Sequence, residues 1–279
     1  MNECSGKYFV ENGKVKETTG FDDAFLQTPH YIYEVFRVID GTALFLEDHL
    51  HRLEKTCALS EHCPGFSHQQ IHHQVYQLIR INHFNYGNIK IVLTSQKPGV
   101  SKLIIYINPH QYPTPEQYKK GVAVSLYKGV RYNPNAKVMD VKLRANTNMV
   151  KQEKNVYETL LVDEKGFITE GSRSNVFFIK NRQIITPPLK DVLPGITRKH
   201  IIQLCQQMGL DAREEKVKAQ SLEDMEGLFI TGTSRKVLPV NQVDQWLFDP
   251  QQLLTQRISQ AFDHKTREYI KARQSSANP

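Results

Sequence analysis

Segments with the composition of β-strands occur in clusters along this chain, and this clustering is the strongest constraint on its fold. Tyr31 to Ile39 is rich in β-branched and aromatic side chains, and Asp40-Gly41 and Thr42 to Leu46 complete a predicted hairpin. Further strands are predicted at residues 7–10, 14–16, 89–94, 103–108, 122–127, 157–162, 167–169, 174–179, 183–186, 212–217, 228–230 and 236–243. Because strands and helices do not alternate strictly, the pattern predicts an α+β fold.

Helices are predicted between and after these clusters. The predicted segments are Glu47 to Ser60, Phe66 to Ile81, Pro194 to Met208 and Pro250 to Ala272. Ser67 is the predicted N-cap of the second of these helices, and Gly209 is predicted to end the third. The chain from Arg273 onward is expected to fray.

Chain length and a proline-rich segment together predict two domains. At 279 residues the chain is long for one typical domain. Residues 108–121 contain Pro109, Pro113 and Pro115 and are otherwise polar, which is typical of a linker. The predicted organisation is a smaller N-terminal domain at residues 1–112, a linker at 113–120 and a larger C-terminal domain at 121–279.

Composition and charge favour a cytoplasmic globular protein. An apolar content of 39% is ordinary, no apolar run reaches the roughly 18–20 residues of a membrane span, and the N-terminus lacks a signal peptide's apolar region. The net charge of +7 is spread along the chain, which favours a solvated basic surface over nucleic-acid binding. We expect no metal site, because His68 and His72 lack a third ligand nearby, and no disulfide between Cys57 and Cys63 in a cytoplasmic protein.

Two residues could carry covalent and acid–base chemistry. Lys142 lies where the end of a predicted apolar strand, Val138 to Val141, meets a predicted helix, and a lysine kept neutral by desolvation or nearby charge can form an imine with a carbonyl. Taken alone, it could equally be a surface lysine. Glu170 ends a predicted strand, where a carboxylate could keep a pyridine nitrogen protonated or simply cap nearby amides.

Two turns have the residues of anion-binding sites. Gly195-Ile196-Thr197 begins a predicted helix, whose free amides and positive dipole end attract anions. Thr231 to Ser234, which includes Thr233, is a hydroxyl-rich turn after an apolar strand. Plain helix capping and a plain strand-end turn are the alternatives. Arg52 could add a fixed cation from the first domain, or be a solvated helix arginine.

In this order, these residues resemble the class IV, fold-type IV pyridoxal phosphate enzymes. That family includes branched-chain aminotransferases, D-amino acid aminotransferases and aminodeoxychorismate lyases. The similarity extends from about Lys7 to Val243. The matching blocks are Tyr33-Glu-Val-Phe-Arg-Val-x-Asp-Gly41, Glu47-Asp-His-Leu-His-Arg-Leu53, Asp140-Val-Lys142, Thr169-Glu-Gly-Ser-x-Ser-Asn-Val-Phe177, Leu193-Pro-Gly-Ile-Thr-Arg198 and Gly232-Thr-Ser-x-x-Val-x-Pro-Val240.

The resemblance implies a two-domain fold, a homodimer and pyridoxal 5′-phosphate bound between the domains. It implies transamination between an amino acid, branched-chain-like or related, and a 2-oxo acid. Lys142 would hold the cofactor as an internal aldimine and move the proton at the substrate carbon, and Glu170 would face the pyridine nitrogen. The phosphate would be held by Arg52, Ile196, Thr197 and Thr233, and the substrate would be bordered by Tyr33, Ser234 and Arg173.

Several positions depart from the family pattern and leave the substrate open. Pro29-His30-Tyr31 replaces a Gly-Asp-Gly turn, and Thr147 stands where the branched-chain enzymes carry a tyrosine. Residues 94–102 lack the Arg-x-His of the D-amino acid enzymes, and Val35 replaces a threonine of the lyases, which argues against lyase chemistry. Arg173 is an unusual charge that either contacts an anionic substrate group or is a surface arginine. A pyruvate-releasing lyase and a non-catalytic binder of anions or nucleic acid are the alternatives.

Overall fold

The computed structural model describes residues 3–27, 31–60, 65–97 and 100–277, which form two compact units. The first unit contains residues 1–111, 136–139 and 266–279, and the second contains residues 112–135 and 140–265. The domain bounds predicted from the sequence, residues 1–112 and 121–279, stay a prediction. The Pro29-His30 departure and Cys63 lie outside the described residues.

The first unit is built on an antiparallel sheet. Its strands are β1 (Ser5–Glu11), β2 (Lys14–Glu17), β3 (Ile32–Ile39), β4 (Thr42–Ala43), β5 (Tyr86–Lys97) and β6 (Val100–Asn108). The order across the sheet is β2-β1-β6-β5-β3-β4. The predicted hairpins are confirmed, although the strand after Asp40-Gly41 is shorter than expected.

Two helices, α1 (Leu46–Leu59) and α2 (His68–Ile81), cover one face of this sheet. Leu46, Leu50 and Leu53 of α1 recur at helical spacing and are buried with the apolar residues of the central strands. Ser67 is the N-cap of α2, because its hydroxyl accepts from the amide of Gln70 at 3.2 Å. The apolar periodicity therefore places these helices correctly.

The second unit contains the remaining strands and most of the remaining helices. Its strands are β7 (Val122–Lys128), β8 (Glu158–Val162), β9 (Phe167–Gly171), β10 (Asn175–Lys180), β11 (Gln183–Thr186), β12 (Ala212–Glu214), β13 (Val217–Lys218), β14 (Gly227–Gly232), β15 (Lys236–Val243) and β16 (Trp246–Leu247). Its helices are α3 (Pro115–Lys120), α4 (Val141–Glu153) and α5 (Ile196–Gln207). A last helix, α6 (Leu253–Ala277), continues into the residues of the first unit.

The strands of the second unit form one mixed sheet in the order β12-β11-β10-β14-β15-β7-β8-β9-β13, with β16 paired to β15. Both faces of its centre are buried: Val176 and Phe178 belong to one apolar cluster, while Phe177 stacks on Phe229 at 5.0 Å between ring centroids. The start of β10 pairs with the end of β14, with Asn175 opposite Thr231. Loops at these two strand ends therefore lie side by side.

The predicted linker at residues 113–120 stays a prediction, and it contains α3, because Thr114 and Gln117 form a capping box. Three expectations about local structure are wrong. Lys142 does not follow a strand: it lies in the first turn of α4, and Val138 forms only an isolated bridge with Ile32. The last helix begins at Leu253 rather than Pro250, and it stays ordered past Arg273.

No described helix has the length and apolar character that a membrane crossing requires.

Candidate active site

Glu170 is held at the end of β9 by two donors of the second unit. The side chain is 2% exposed. Its Oε1 accepts from Nε of Arg131 at 3.0 Å, and its Oε2 accepts from the amide of Leu193 at 3.1 Å. An ionised carboxylate accepts hydrogen bonds, so a protonated ring nitrogen is a suitable donor to it. The arrangement fits the predicted role of Glu170 opposite a pyridine nitrogen.

The turn that follows Leu193 links this carboxylate to the start of α5. Asn175 donates from Nδ2 to the carbonyl of Leu193 at 2.9 Å, and Gly195 is the N-cap of α5. A Cβ added at Gly195 would lie 1.9 Å from Oδ1 of Asn175, so only glycine fits there. Because Gly195 has no side chain to cap the helix, the first amides of α5 are available to an anion.

Ile196 and Thr197 are the first two residues of α5, and both are buried. Thr233 and Ser234 lie in the turn after β14, and Ser234 is also buried. An added Cβ at Gly232 would lie 3.7 Å from the carbonyl oxygen of Arg173, which places this turn against the one that follows β9. The second unit therefore gathers one carboxylate and two hydroxyl-bearing turns at neighbouring strand ends.

Glu158 is a buried carboxylate that fixes the turn carrying Arg173. It is 0% exposed and accepts from Oγ of Ser172 at 2.5 Å and from Oγ of Ser174 at 3.2 Å. Nη2 of Arg235 lies 3.3 Å from its Oε2. Burial alone would raise the pKa of Glu158, but Arg235, Lys151 and these hydrogen bonds together lower it.

Lys142 is exposed at the second position of α4, whose N-cap Asp140 accepts from the amide of Leu143 at 2.9 Å. Among the described residues, no hydrogen bond or ion pair joins Lys142 to Glu170. Thr147 is buried and its hydroxyl donates to the carbonyl of Leu143 at 2.8 Å, within the helix. The expected desolvation of Lys142 by a strand end is therefore absent.

Arg52 and Tyr33 belong to the first unit. Arg52 donates from Nε and Nη2 to the two oxygens of Glu34, both at 2.7 Å, and His49 contacts the same carboxylate at 2.7 Å. Burial would raise the pKa of Glu34, but the charge of Arg52 and these hydrogen bonds lower it to about 2. Tyr33 is 7% exposed, with the ammonium of Lys137 4.6 Å from its ring centroid. Arg52 is thus a rigidly held cation and not a solvated one.

Sequence reasoning missed the partners that orient this site. Arg131 lies in an irregular loop, Glu158 reads as an ordinary strand residue, and Asn175 is one polar residue in an apolar strand. Their importance depends on contacts between residues 14 to 39 positions apart, which no local pattern encodes. The Ser-x-Ser spacing of Ser172 and Ser174 was the available signal, because it directs two hydroxyls to one side of the turn.

Residues 31–243 of the chain match the family model of amino-transferase class IV. The chain therefore belongs to the class IV aminotransferases. It is 29% identical to the D-alanine aminotransferase of Bacillus licheniformis, over 84% of this chain and 87% of the relative. It is 28% identical to a putative branched-chain-amino-acid aminotransferase of Methanocaldococcus jannaschii, over 96% and 97%.

The fold matches solved structures of the same family. The branched-chain amino acid aminotransferase of Escherichia coli superposes with a TM-score of 0.86 at 22% identity, covering 94% of this chain and 95% of that one. A putative 4-amino-4-deoxychorismate lyase of Legionella pneumophila superposes with a TM-score of 0.78 at 21% identity, covering 88% and 94%. The predictions of an α+β fold, of a pyridoxal-phosphate-dependent aminotransferase and of its cofactor are confirmed.

Proposed function

We propose that Lys142 is the catalytic residue of this aminotransferase, and that the amino donor is a branched-chain-like or related amino acid. When bound, pyridoxal 5′-phosphate supplies the aldehyde that accepts the amino group and a ring that withdraws electrons from the substrate carbon. The observation that carries the proposal is the engagement of Glu170 by Arg131 and the Leu193 amide. It leaves a fixed, buried carboxylate beside the uncapped start of α5.

Each proposed residue has a role that its surroundings support. Glu170 would accept a hydrogen bond from the protonated nitrogen of the pyridine ring, and Arg131 holds the carboxylate in place at 3.0 Å. Lys142, an exposed residue at the second position of α4, would as a free amine move the proton at the reacting carbon. The phosphate is proposed to be held by Arg52, Ile196, Thr197 and Thr233.

The substrate is proposed to be bordered by Tyr33, Ser234 and Arg173. The putative branched-chain relative of M. jannaschii covers nearly the whole chain, which supports a donor of that kind. The D-alanine aminotransferase relative is comparably similar, so the similarity does not distinguish an L-amino acid donor from a D-amino acid donor. The donor screen described below makes that distinction. We also propose a homodimer, as the family resemblance implies, and a cytoplasmic location, as the composition favours.

Absorbance spectroscopy tests the assignment of Lys142. Purified protein mixed with pyridoxal 5′-phosphate should develop a visible band of protein-bound cofactor that Lys142→Ala abolishes. Lys165→Ala removes an exposed lysine from the turn between β8 and β9 and should leave the band unchanged. A band of equal strength in the Lys142→Ala protein would overturn the assignment.

A donor screen tests the substrate. L- and D-forms of branched-chain amino acids and alanine are mixed in turn with cofactor-loaded protein, and the loss of the visible band is followed without an acceptor. Preference for an L-branched-chain donor supports the proposal, and preference for D-alanine overturns it. Release of pyruvate from aminodeoxychorismate without an acceptor would identify a lyase instead, although Val35 argues against that outcome.

A further inference from the structure

A four-residue segment at residues 136–139 extends the antiparallel sheet of the first unit beside the start of β3. The amide of Tyr33 donates to the carbonyl of Lys137 at 3.1 Å, and the amide of Met139 donates to the carbonyl of Tyr31 at 2.9 Å. These four residues belong to the first unit, although the residues on either side of them belong to the second. We call residues 136–139 the strap.

The strap is packed on both faces of the sheet. Val138 forms an antiparallel bridge with Ile32 and packs against the apolar cluster beneath α1 and α2. Met139 belongs to the aromatic cluster on the opposite face, and Ala136 is fully buried. Successive side chains of a strand point to opposite faces in this way. The strap is therefore held as an additional short strand and not as a loose connection.

Thr56 of α1 fixes the strap through its backbone. Its side chain is 0% exposed, and its Oγ1 accepts from the amide of Lys137 at 3.1 Å. Both backbone polar groups of Lys137 are thus bonded, the amide to Thr56 and the carbonyl to Tyr33. Because a backbone amide that loses a buried partner costs free energy, the hydroxyl of Thr56 stabilises one register of the strap.

The strap adjoins two residues of the proposed chemistry. The ammonium of Lys137 lies 4.6 Å from the ring centroid of Tyr33, which is proposed to border the substrate. Met139 is followed directly by Asp140, the N-cap of α4, and Lys142 comes three residues after Met139. Three residues of chain span at most about 11 Å, so the strap limits where the backbone of Lys142 can lie.

We propose that Thr56 is a positioning residue for Lys142 and acts through the strap. The hydroxyl of Thr56 holds the segment from which α4 begins, and so it sets the place of the Lys142 amine. A displacement of about 1 Å at a reacting atom can slow a reaction about a hundredfold. The inference rests on the proposed function, which assigns the imine-forming amine to Lys142.

The rate at which the cofactor band appears tests this role. Thr56→Val keeps the shape of the side chain and removes the acceptor of the Lys137 amide. On mixing with pyridoxal 5′-phosphate, this variant should develop the visible band about tenfold more slowly than the parent protein. Its affinity for pyridoxamine 5′-phosphate, which has no aldehyde, should stay within about twofold in a fluorescence titration, because the hydroxyl is not a proposed phosphate ligand.

Two variants separate positioning from a general loss of structure. Thr56→Ser retains the hydroxyl and should restore the parent rate. Thr42→Val removes a buried hydroxyl from β4 of the same sheet and should also keep that rate. A parent-like rate in Thr56→Val would overturn the proposal. An equal loss in Thr56→Ser or Thr42→Val would do the same, as would a matching loss of affinity for pyridoxamine 5′-phosphate.

Hydrogen exchange of the parent protein tests the strap without any variant. The amides of Lys137 and Met139 should exchange about tenfold more slowly than the amide of Tyr132, which lies in the preceding loop with its side chain exposed. Equal exchange at the three positions would overturn the strap. Failure of the proposed function would appear separately, as a visible band of undiminished strength in Lys142→Ala.

Discussion

Replacement of Glu34 by glutamine is expected to destabilise the protein by about 3–5 kcal/mol at pH 7. Glu34 is fully buried, and both of its oxygens accept from Arg52 at 2.7 Å. The glutamine side chain has nearly the same volume but no charge, so the buried guanidinium of Arg52 loses its counter-ion. Removing one partner of a buried pair leaves the desolvation cost of the other uncompensated.

The lowered pKa of Glu34 gives a second value for the stability that the same contacts contribute. Its pKa in the folded protein is about 2, against an ordinary value of 4.5. A carboxyl whose pKa is depressed on folding contributes stability above its unfolded pKa, and that stability is lost as the pH falls toward the folded pKa. A difference of 2.5 units corresponds to about 3 kcal/mol, in agreement with the estimate from the buried pair.

Urea denaturation followed by circular dichroism at pH 7 and at pH 3 measures both effects. The parent protein should lose stability between pH 4.5 and 2, and Glu34→Gln should lose less over the same window because its side chain does not titrate. Glu116→Gln removes an exposed partner of Lys120 and should change the free energy of unfolding by less than about 0.5 kcal/mol. A loss below about 1 kcal/mol for Glu34→Gln would refute the reasoning.

Three further predictions concern residues of the second unit. Arg131→Gln removes the cation at Oε1 of Glu170 and should weaken the binding of pyridoxal 5′-phosphate about tenfold in a fluorescence titration; unchanged affinity would contradict the role of the pair. Gly195→Ala should cost about 1–3 kcal/mol in urea denaturation, because the new Cβ would lie 1.9 Å from Oδ1 of Asn175. Adding Asn175→Ala should recover part of that loss, and strictly additive losses would show that the two residues do not clash. Lys151 should react with an amine-specific label with a midpoint near pH 8, because burial and the guanidinium groups of Arg173, Arg235 and Arg144 lower its pKa to about 8; a midpoint near the ordinary value of 10.5 would contradict this.

Local signals in the sequence account for the elements that were placed correctly. Ser67 with Gln70 specifies the start of α2 because the two side chains satisfy each other's backbone groups within one turn. The strand Gln183–Thr186 was predicted with its observed bounds, since it is a short apolar segment between turn residues. In both cases the signals that mark the bounds of the element lie within a few residues of it.

Lys142 and Glu158 show why the rest could not be predicted. The apolar character of Val138 to Val141 suggested a strand, but Asp140 caps a helix that begins at once, and the capping contact outweighs the β-propensity. Glu158 looked like any residue at the start of a strand, and its importance comes from Ser172, Ser174 and Arg235. Such contacts join distant parts of the chain, so the order of the motifs could reveal the cofactor site but not its supporting charges.

The division of the chain has a consequence for protein synthesis. Residues 266–279 belong to the first unit together with residues 1–111, and they leave the ribosome after the whole of the second unit. Tyr269 donates to Glu47 at 2.9 Å, and Arg273 pairs with the same carboxylate at 2.6 Å. The first unit is therefore completed only after residue 273 has been synthesised, although most of its residues precede residue 112. A nascent chain stalled before codon 266 would expose the surface that this segment covers and become a substrate for chaperones.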